Sequence, residues 1–326
     1  MGKEYQGVWV FAEHRDRQLS RISLELLANG RLIADELGME LAAVLLGNDV
    51  KVSATELICY GADRVYLVQS RLLSRYQTSS CCGVMKQLIL EHKPEIVLFG
   101  ATALGRDLAP RLACALNIGL SAHCIDLKVD KPTRQLLQIC PFFDFMVNIV
   151  SDTKPQMATV QPGIVKPLLK DGSRKGEVTE VSLEVPPPDV EVISVDKVED
   201  KGAKIGEAEV VIGVGRGVKD LRPVQELAAV LGAEIGGTSP AVDEEMIPES
   251  CLIGQTGVAI SPKLYIACGI SGASQHTAGV RGSEIIVAIN NDEGAPIFKI
   301  ADYGIIGDVE KIVPSLTRYL KGGSIT

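Results

Sequence analysis

Between residues 7 and 130, short apolar runs alternate with longer amphipathic stretches. The run Gly7-Val-Trp-Val-Phe-Ala12 reads as a strand. A helix follows from about Leu19 to Leu37, with Ile22, Leu26, Ile33 and Leu37 recurring on one face. Gly38 stands where a helix C-terminus favours a residue able to take positive φ. Leu41 to Leu46 is a second strand, ending at Gly47-Asn48-Asp49. The series continues with a short helix closed by Gly61, a strand Val65 to Val68 and a helix through Met85 to His92. The strand Ile96 to Phe99 and a helix Leu104 to Leu116 complete it. Four apolar strands separated by helices imply a right-handed parallel βαβ sheet covered on both faces. From Ile125 to about Val165 the alternation fades, and extra, partly antiparallel strands are expected.

The segment from about 177 to 204 carries Pro186-Pro-Pro-Asp189 and the mixed charges Val195-Asp-Lys-Val-Glu-Asp-Lys201, a composition suited to an exposed connection. Beyond it the α/β pattern resumes. Strands are expected at Glu209 to Val214, Leu264 to Cys268, Ile285 to Ile289 and Ile297 to Ile300, and helices at Val218 to Leu231 and Asp308 to Leu320. The fold class is therefore α/β in two lobes, residues 1–200 and 205–326.

Composition narrows the function. Of 326 residues 46% are hydrophobic and only 4% aromatic, so the cores rest on Val, Ile, Leu and Ala, as buried parallel strands do. A net charge of −8 argues against nucleic acid or anionic lipid as a partner. No run approaches the roughly 20 apolar residues needed to insert across a membrane. Met1 to Tyr5 lead almost directly into the first strand without an apolar or amphipathic leader, which points to a cytoplasmic chain. Eight scattered Cys without a C-x-x-C pair, and only four His, read as buried thiols rather than as a metal site.

The chemistry concentrates in the second lobe, where glycines gather at strand ends. Gly213-Val-Gly-Arg-Gly217 follows a strand, yet Val218 occupies the third glycine position of a dinucleotide fingerprint; in isolation the motif is an ordinary strand–helix turn. Three further clusters shift the balance. They are Gly254-Gln-Thr-Gly257, the strand-ending run Gly269-Ile-Ser-Gly-Ala-Ser-Gln-His276, and Asn290-Asn-Asp292. Ligands of open α/β sheets bind beyond the carboxyl ends of strands, where glycine lets backbone N–H groups approach phosphate. Hydroxyls, amides and an imidazole at three strand ends fit a phosphate-bearing ligand.

These clusters stand in an ordered series with Leu264-Tyr-Ile-Ala267, Ala278-Gly279, Val287-Ala-Ile-Asn290, Ala295-Pro-Ile-Phe298, Ala301-Asp-Tyr-Gly-Ile305, Gly307-Asp308 and Val313-Pro314. The series resembles the α (large) subunit of electron-transfer flavoprotein almost continuously through the second lobe. It extends into the first through Gly105-Arg-Asp-Leu-Ala-Pro-Arg111 and Pro155-Gln-Met-Ala-Thr-Val160. The resemblance implies a nucleotide-α-hydrolase-like N-terminal domain contacting a β subunit, and a C-terminal Rossmann-like domain that holds most of an FAD. It also implies electron transfer between flavin dehydrogenases, such as acyl-CoA dehydrogenases, and downstream partners, either as a shuttle or within an electron-bifurcating complex. Such a chain is a carrier rather than an enzyme.

By the same resemblance Arg216 contacts the flavin cofactor, and Thr238 stands where the family has a serine touching it. Ile253, Gly254, Gln255 and Thr256 match the flavin and ribityl loop; Ser271, Gly272, Ala273, Ser274, Gln275 and His276 match the loop near phosphates, ribityl chain and ring. Asn290, Asp308 and Val309 match the adenosine end, although a plain helix N-cap explains Asp308 equally well. His276 is expected to donate a hydrogen bond toward the N1/O2 edge of the ring, where charge collects on reduction. The chain departs from the family at Ser239, which takes the place of an arginine lying over the ring, and at Ser274, His123 and Gln161. Two other classes stay in view: an NAD-dependent dehydrogenase, which needs the missing fingerprint, and a partner-binding subunit without cofactor.

Overall fold

The structure is a computed structural model that describes residues 4–142, 145–195, 205–206 and 208–322. The chain divides into two units after Val195. In the first, seven parallel strands run in the order β10-β3-β2-β1-β4-β9-β5. They are β1 (Val8–Ala12), β2 (Leu41–Gly47), β3 (Arg64–Gln69), β4 (Ile96–Gly100), β5 (Leu120–Cys124), β9 (Gln156–Val160) and β10 (Glu177–Glu180). Strand β1 shows why the sheet is buried on both sides. Val8, Val10 and Ala12 enter one core with Ile22, Leu26 and Ile33 of α1 (Arg21–Leu37) and Ala54 and Leu57 of α2 (Lys51–Cys59). Trp9 and Phe11 enter the other, with Met85 and Leu88 of α3 (Thr78–His92) and Leu108 and Leu112 of α4 (Ala103–Leu116). Helix α1 ends where expected, with Gly38 at φ 62°.

The fading alternation after Ile125 has a structural cause. Strands β6 (Asp126–Asp130), β7 (Gln135–Phe142) and β8 (Phe145–Ile149) form a separate antiparallel sheet, while β9 returns to the parallel one. The expected connection over 177–204 begins too early. Glu177–Glu180 pairs with β3 at the sheet edge, and Val181, Leu183 and Val185 pack on the first unit's core. A short edge strand reads as polar linker, because Val178 is its one apolar residue and is itself only partly buried. Of the rest of the expected connection, residues 186–195 hold no strand or helix, and residues 196–204 lie outside the described residues.

Glu13, just past β1, is 6% exposed, and its carboxylate accepts from the Thr102 hydroxyl. No cation pairs with it in the described contacts, and burial raises its pKa from 4.5 to about 7. Because the folded-state value is the higher one, this group favours the fold below pH 4.5 and that contribution fades as pH rises toward 7. Glu13→Gln keeps an acceptor for Thr102 and removes the buried charge. Its effect is expected to be small at pH 5 and a stabilisation of about 3 kcal/mol at pH 8. Urea unfolding of both proteins at the two pH values measures this, and an equal gain at each pH would show that charge is not the cause.

The second unit has five parallel strands in the order β12-β11-β13-β14-β15. They are β11 (Val210–Val214), β12 (Glu234–Gly237), β13 (Leu264–Cys268), β14 (Ile285–Asn290) and β15 (Tyr303–Ile306). Helices α5 (Arg222–Leu231) and α6 (Val309–Leu320) complete the main elements. This is the doubly wound order 2-1-3-4-5, whose direction reverses between β11 and β13, so the ligand crevice belongs at their carboxyl ends. Two expectations shift. The helix after β11 begins at Arg222 rather than Val218, with Pro223 in its first turn, where the missing N–H costs nothing. Ile297 to Ile300 is no strand: Pro296–Lys299 is a 3₁₀ turn, and the edge strand lies just beyond, at Tyr303–Ile306. Pro296 lacks a ladder donor, and the Ile297 N–H donates to the Ser271 carbonyl instead. No helix among the described residues is long and apolar enough to cross a membrane.

Candidate functional site

Four loops meet at the reversal point, and glycines let them touch. After β11, the Gly215 N–H donates to Cys268 O at 2.9 Å and the Gly217 N–H to Gly269 O at 3.1 Å. A Cβ on Gly215 would fall 2.3 Å from Gly269 O, so only glycine permits this backbone-to-backbone approach. The Gly213–Gly217 motif is therefore more than a strand–helix turn: its glycines seat the loop after β13. That loop turns at Gly269 (φ 63°) and Gly272 (φ 89°), and a Cβ on Gly272 would fall 2.3 Å from Ile297 N. The loop after β12 is tied in by Thr238 N–H donating to Val214 O, and the fourth by Gln255 N–H donating to Gln275 O at 2.8 Å.

Together they enclose a cavity of about 520 Å³. Of the residues expected there, Arg216, Thr238, Ser239, Ile253, Gly254, Gln255, Thr256, Ser271, Gly272, Ala273, Gln275, His276 and Asn290 line it. Three do not. Ser274 opens the short helix Ser274–Ala278 as an exposed residue, and its hydroxyl donates to the Gln275 side chain. Asp308 caps α6 by accepting from Glu310 N–H, and Val309 is buried in the core of this unit. The cap reading of Asp308 is the one its geometry supports. Sequence reasoning missed Pro240, Leu252, Ile270 and Asp292, which also line the cavity. Pro240, Leu252 and Ile270 are chain neighbours of expected residues and bore no chemical signal of their own, whereas Asp292 stood in the polar cluster Asn290-Asn-Asp292 without being assigned a contact.

The lining divides by exposure. Arg216, Ser239, Gln255, Thr256 and Ser271 are exposed toward solvent, and Arg216 and Asp292 are the charged side chains among the lining residues. His276 and Asn290 are buried, and both spend their polar atoms on the loops. The Asn290 amide donates to Ile270 O at 2.8 Å and its carbonyl accepts from Asp292 N–H. His276 Nδ1 lies 3.0 Å from Ile253 O and Nε2 lies 2.8 Å from the Tyr265 hydroxyl. A carbonyl only accepts, so Nδ1 carries the proton and Nε2 accepts from Tyr265. Burial holds the imidazole pKa below 6.5 and the Tyr265 pKa well above 10, so both groups are neutral near pH 7. The expected hydrogen bond from His276 to the ring edge is not offered in this arrangement, since both ring nitrogens already serve the fold.

The family model for the electron transfer flavoprotein domain matches residues 8–186, and that for the electron transfer flavoprotein FAD-binding domain matches 204–281. The electron transfer flavoprotein subunit alpha of Clostridium acetobutylicum is 42% identical, with 98% of each chain covered. That of Megasphaera elsdenii is also 42% identical, covering 98% of this chain and 97% of its own length. The acryloyl-CoA reductase electron transfer subunit beta of Anaerotignum propionicum is 36% identical, over 98% of this chain and 96% of its own. On matches that span both units and nearly the whole length, the chain belongs to the family of electron transfer flavoprotein α subunits.

Proposed function

We propose that this chain is the large subunit of an FAD-bearing electron carrier, and that the cavity of the second unit holds the cofactor. The observation that carries this reading is the glycine-built cavity at the reversal point between β11 and β13, with one arginine on its wall. When bound, the FAD supplies the redox chemistry; the chain binds and orients it. Arg216 meets the negative charge of the cofactor, and Thr238, Ser239, Gln255, Thr256, Ser271 and Gln275 offer hydroxyls and amides to it. Gly254, Gly272, Ala273 and Ile253 bring backbone close to it, while His276 and Asn290 shape the loops. A β subunit would cover the exposed side of the cavity. Flavin dehydrogenases that act on acyl-CoA substrates are the proposed electron donors or acceptors, in keeping with the acryloyl-CoA reductase relative. Eight cysteines, none in a disulfide, suit the reducing cytoplasm.

Co-expression with a β subunit should give a yellow complex with one FAD retained on the α chain's cavity. Arg216→Ala is expected to weaken FAD binding by roughly 10- to 100-fold, the loss of a charge-assisted hydrogen bond of about 1.5–3 kcal/mol. Arg216→Lys should recover part of it, and the wild-type affinity should fall with added salt while that of Arg216→Ala changes less. A colourless complex would sink the cofactor reading; unchanged affinity in Arg216→Ala would remove the arginine from it.

A further inference from the structure

We infer that Tyr265 is a positioning residue of the cofactor cavity, acting through His276 on the loop that carries Gln255 and Thr256. This inference rests on the proposed FAD site. Tyr265 sits within β13, fully buried, and does not line the cavity. Its hydroxyl is matched by an opening in the neighbouring strand: a Cβ on Gly213 would fall 1.9 Å from that oxygen. Glycine inside a strand costs stability, and here it leaves room for a single polar atom in the core.

That atom supplies the partner of the imidazole's second nitrogen. The Ile253 carbonyl at 3.0 Å only accepts, so the proton stands on Nδ1, and Tyr265 then donates to Nε2 at 2.8 Å. The line Tyr265–His276–Ile253 thus ties β13, the short helix Ser274–Ala278 and the 253–256 loop together. Two neighbouring contacts leave that loop little freedom: Gln255 N–H donates to Gln275 O, and a Cβ on Gly279 would fall 2.6 Å from Gly254 N. Remove the hydroxyl, and Nε2 becomes a buried acceptor without a donor. The ring regains a donor for Nε2 only by rotating, and rotation releases the Ile253 carbonyl. The loop then reaches the cofactor less well ordered, and binding bears the cost of fixing it.

Tyr265→Phe is the sharp test, because the phenyl ring fills nearly the same space. In the αβ complex, FAD should dissociate about tenfold faster from Tyr265→Phe than from wild type. His276→Ala should release FAD faster as well, and adding Tyr265→Phe to it should change the rate less than twofold, since the tyrosine acts through the histidine. In nitrogen-15 spectra of the histidine-labelled, flavin-free complex, the His276 signal, identified by its absence in His276→Ala, should show a proton on Nδ1 alone. A wild-type proton on Nε2, an unchanged release rate in Tyr265→Phe, or additive effects in the double variant would each overturn the inference. If the complex holds no flavin, the proposed function falls, while the nitrogen spectrum still decides whether His276 carries the tautomer that the Tyr265–His276–Ile253 line requires.

Discussion

Gly215→Ala, in complex with a β subunit, is expected to weaken FAD binding by roughly 100-fold while leaving the first unit folded. The added methyl meets backbone rather than a movable side chain: Gly269 O at 2.3 Å, Gly269 C and Ile270 Cα at 2.8 Å. Relief requires the loops after β11 and β13 to part, which breaks the Gly215–Cys268 and Gly217–Gly269 hydrogen bonds that hold them. Those loops carry Arg216 and Ser271–Ala273, so their separation opens the cavity wall itself. Overpacking of this kind costs about 1–3 kcal/mol, and the upper end corresponds to the 100-fold loss. Gly172→Ala is the control, since a Cβ there meets nothing within 4 Å. The flavin-to-protein ratio after gel filtration, together with the thermal unfolding of each protein, measures the effect. Full flavin retention in Gly215→Ala would show that this close approach is not what shapes the site.

Much of the fold was legible because its signal is periodic. Buried parallel strands such as Val8–Ala12 and Leu264–Cys268 are continuous apolar runs, and α1 carries its stripe up to a glycine stop. The strands that were missed or misplaced are short or at edges. Glu177–Glu180 and Tyr303–Ile306 pair on one side only, so their side chains need not be apolar in alternation. Ile297 to Ile300 looked like a strand since its apolar content is right, but Pro296 decides the local conformation. The site was legible as a set of glycines and polar residues at strand ends, because loops that approach a ligand need that composition. What the sequence hides is how a buried polar side chain uses its atoms. Asn290 and His276 look like ligand contacts in a string of letters; in three dimensions their donors and acceptors close on Ile270, Asp292, Ile253 and Tyr265.

The α chain alone is expected to bind FAD at least roughly 100-fold more weakly than the αβ complex. Small-molecule sites that bind tightly bury about 70–90% of their ligand. Here the groups proposed to meet the cofactor most directly, Arg216, Ser239, Gln255, Thr256 and Ser271, are all solvent-exposed in the chain by itself. An FAD lying on them would keep one side in water, and the Arg216 charge would act through a high dielectric, worth about 1 kcal/mol at 4 Å rather than about 4. Covering that side with a second subunit removes water from both the ring and the charge. The two gains add, since apolar burial contributes about 25 cal/mol per Å² of surface removed from water. An uncovered area of only about 100 Å² is then worth about 2.5 kcal/mol, close to the predicted factor. Fluorescence titration of FAD into purified α, and into the apo complex, gives the two affinities directly. An α chain that keeps one FAD through gel filtration would show that this chain closes the site unaided, and the β subunit would then have to be sought in electron delivery rather than in cofactor binding.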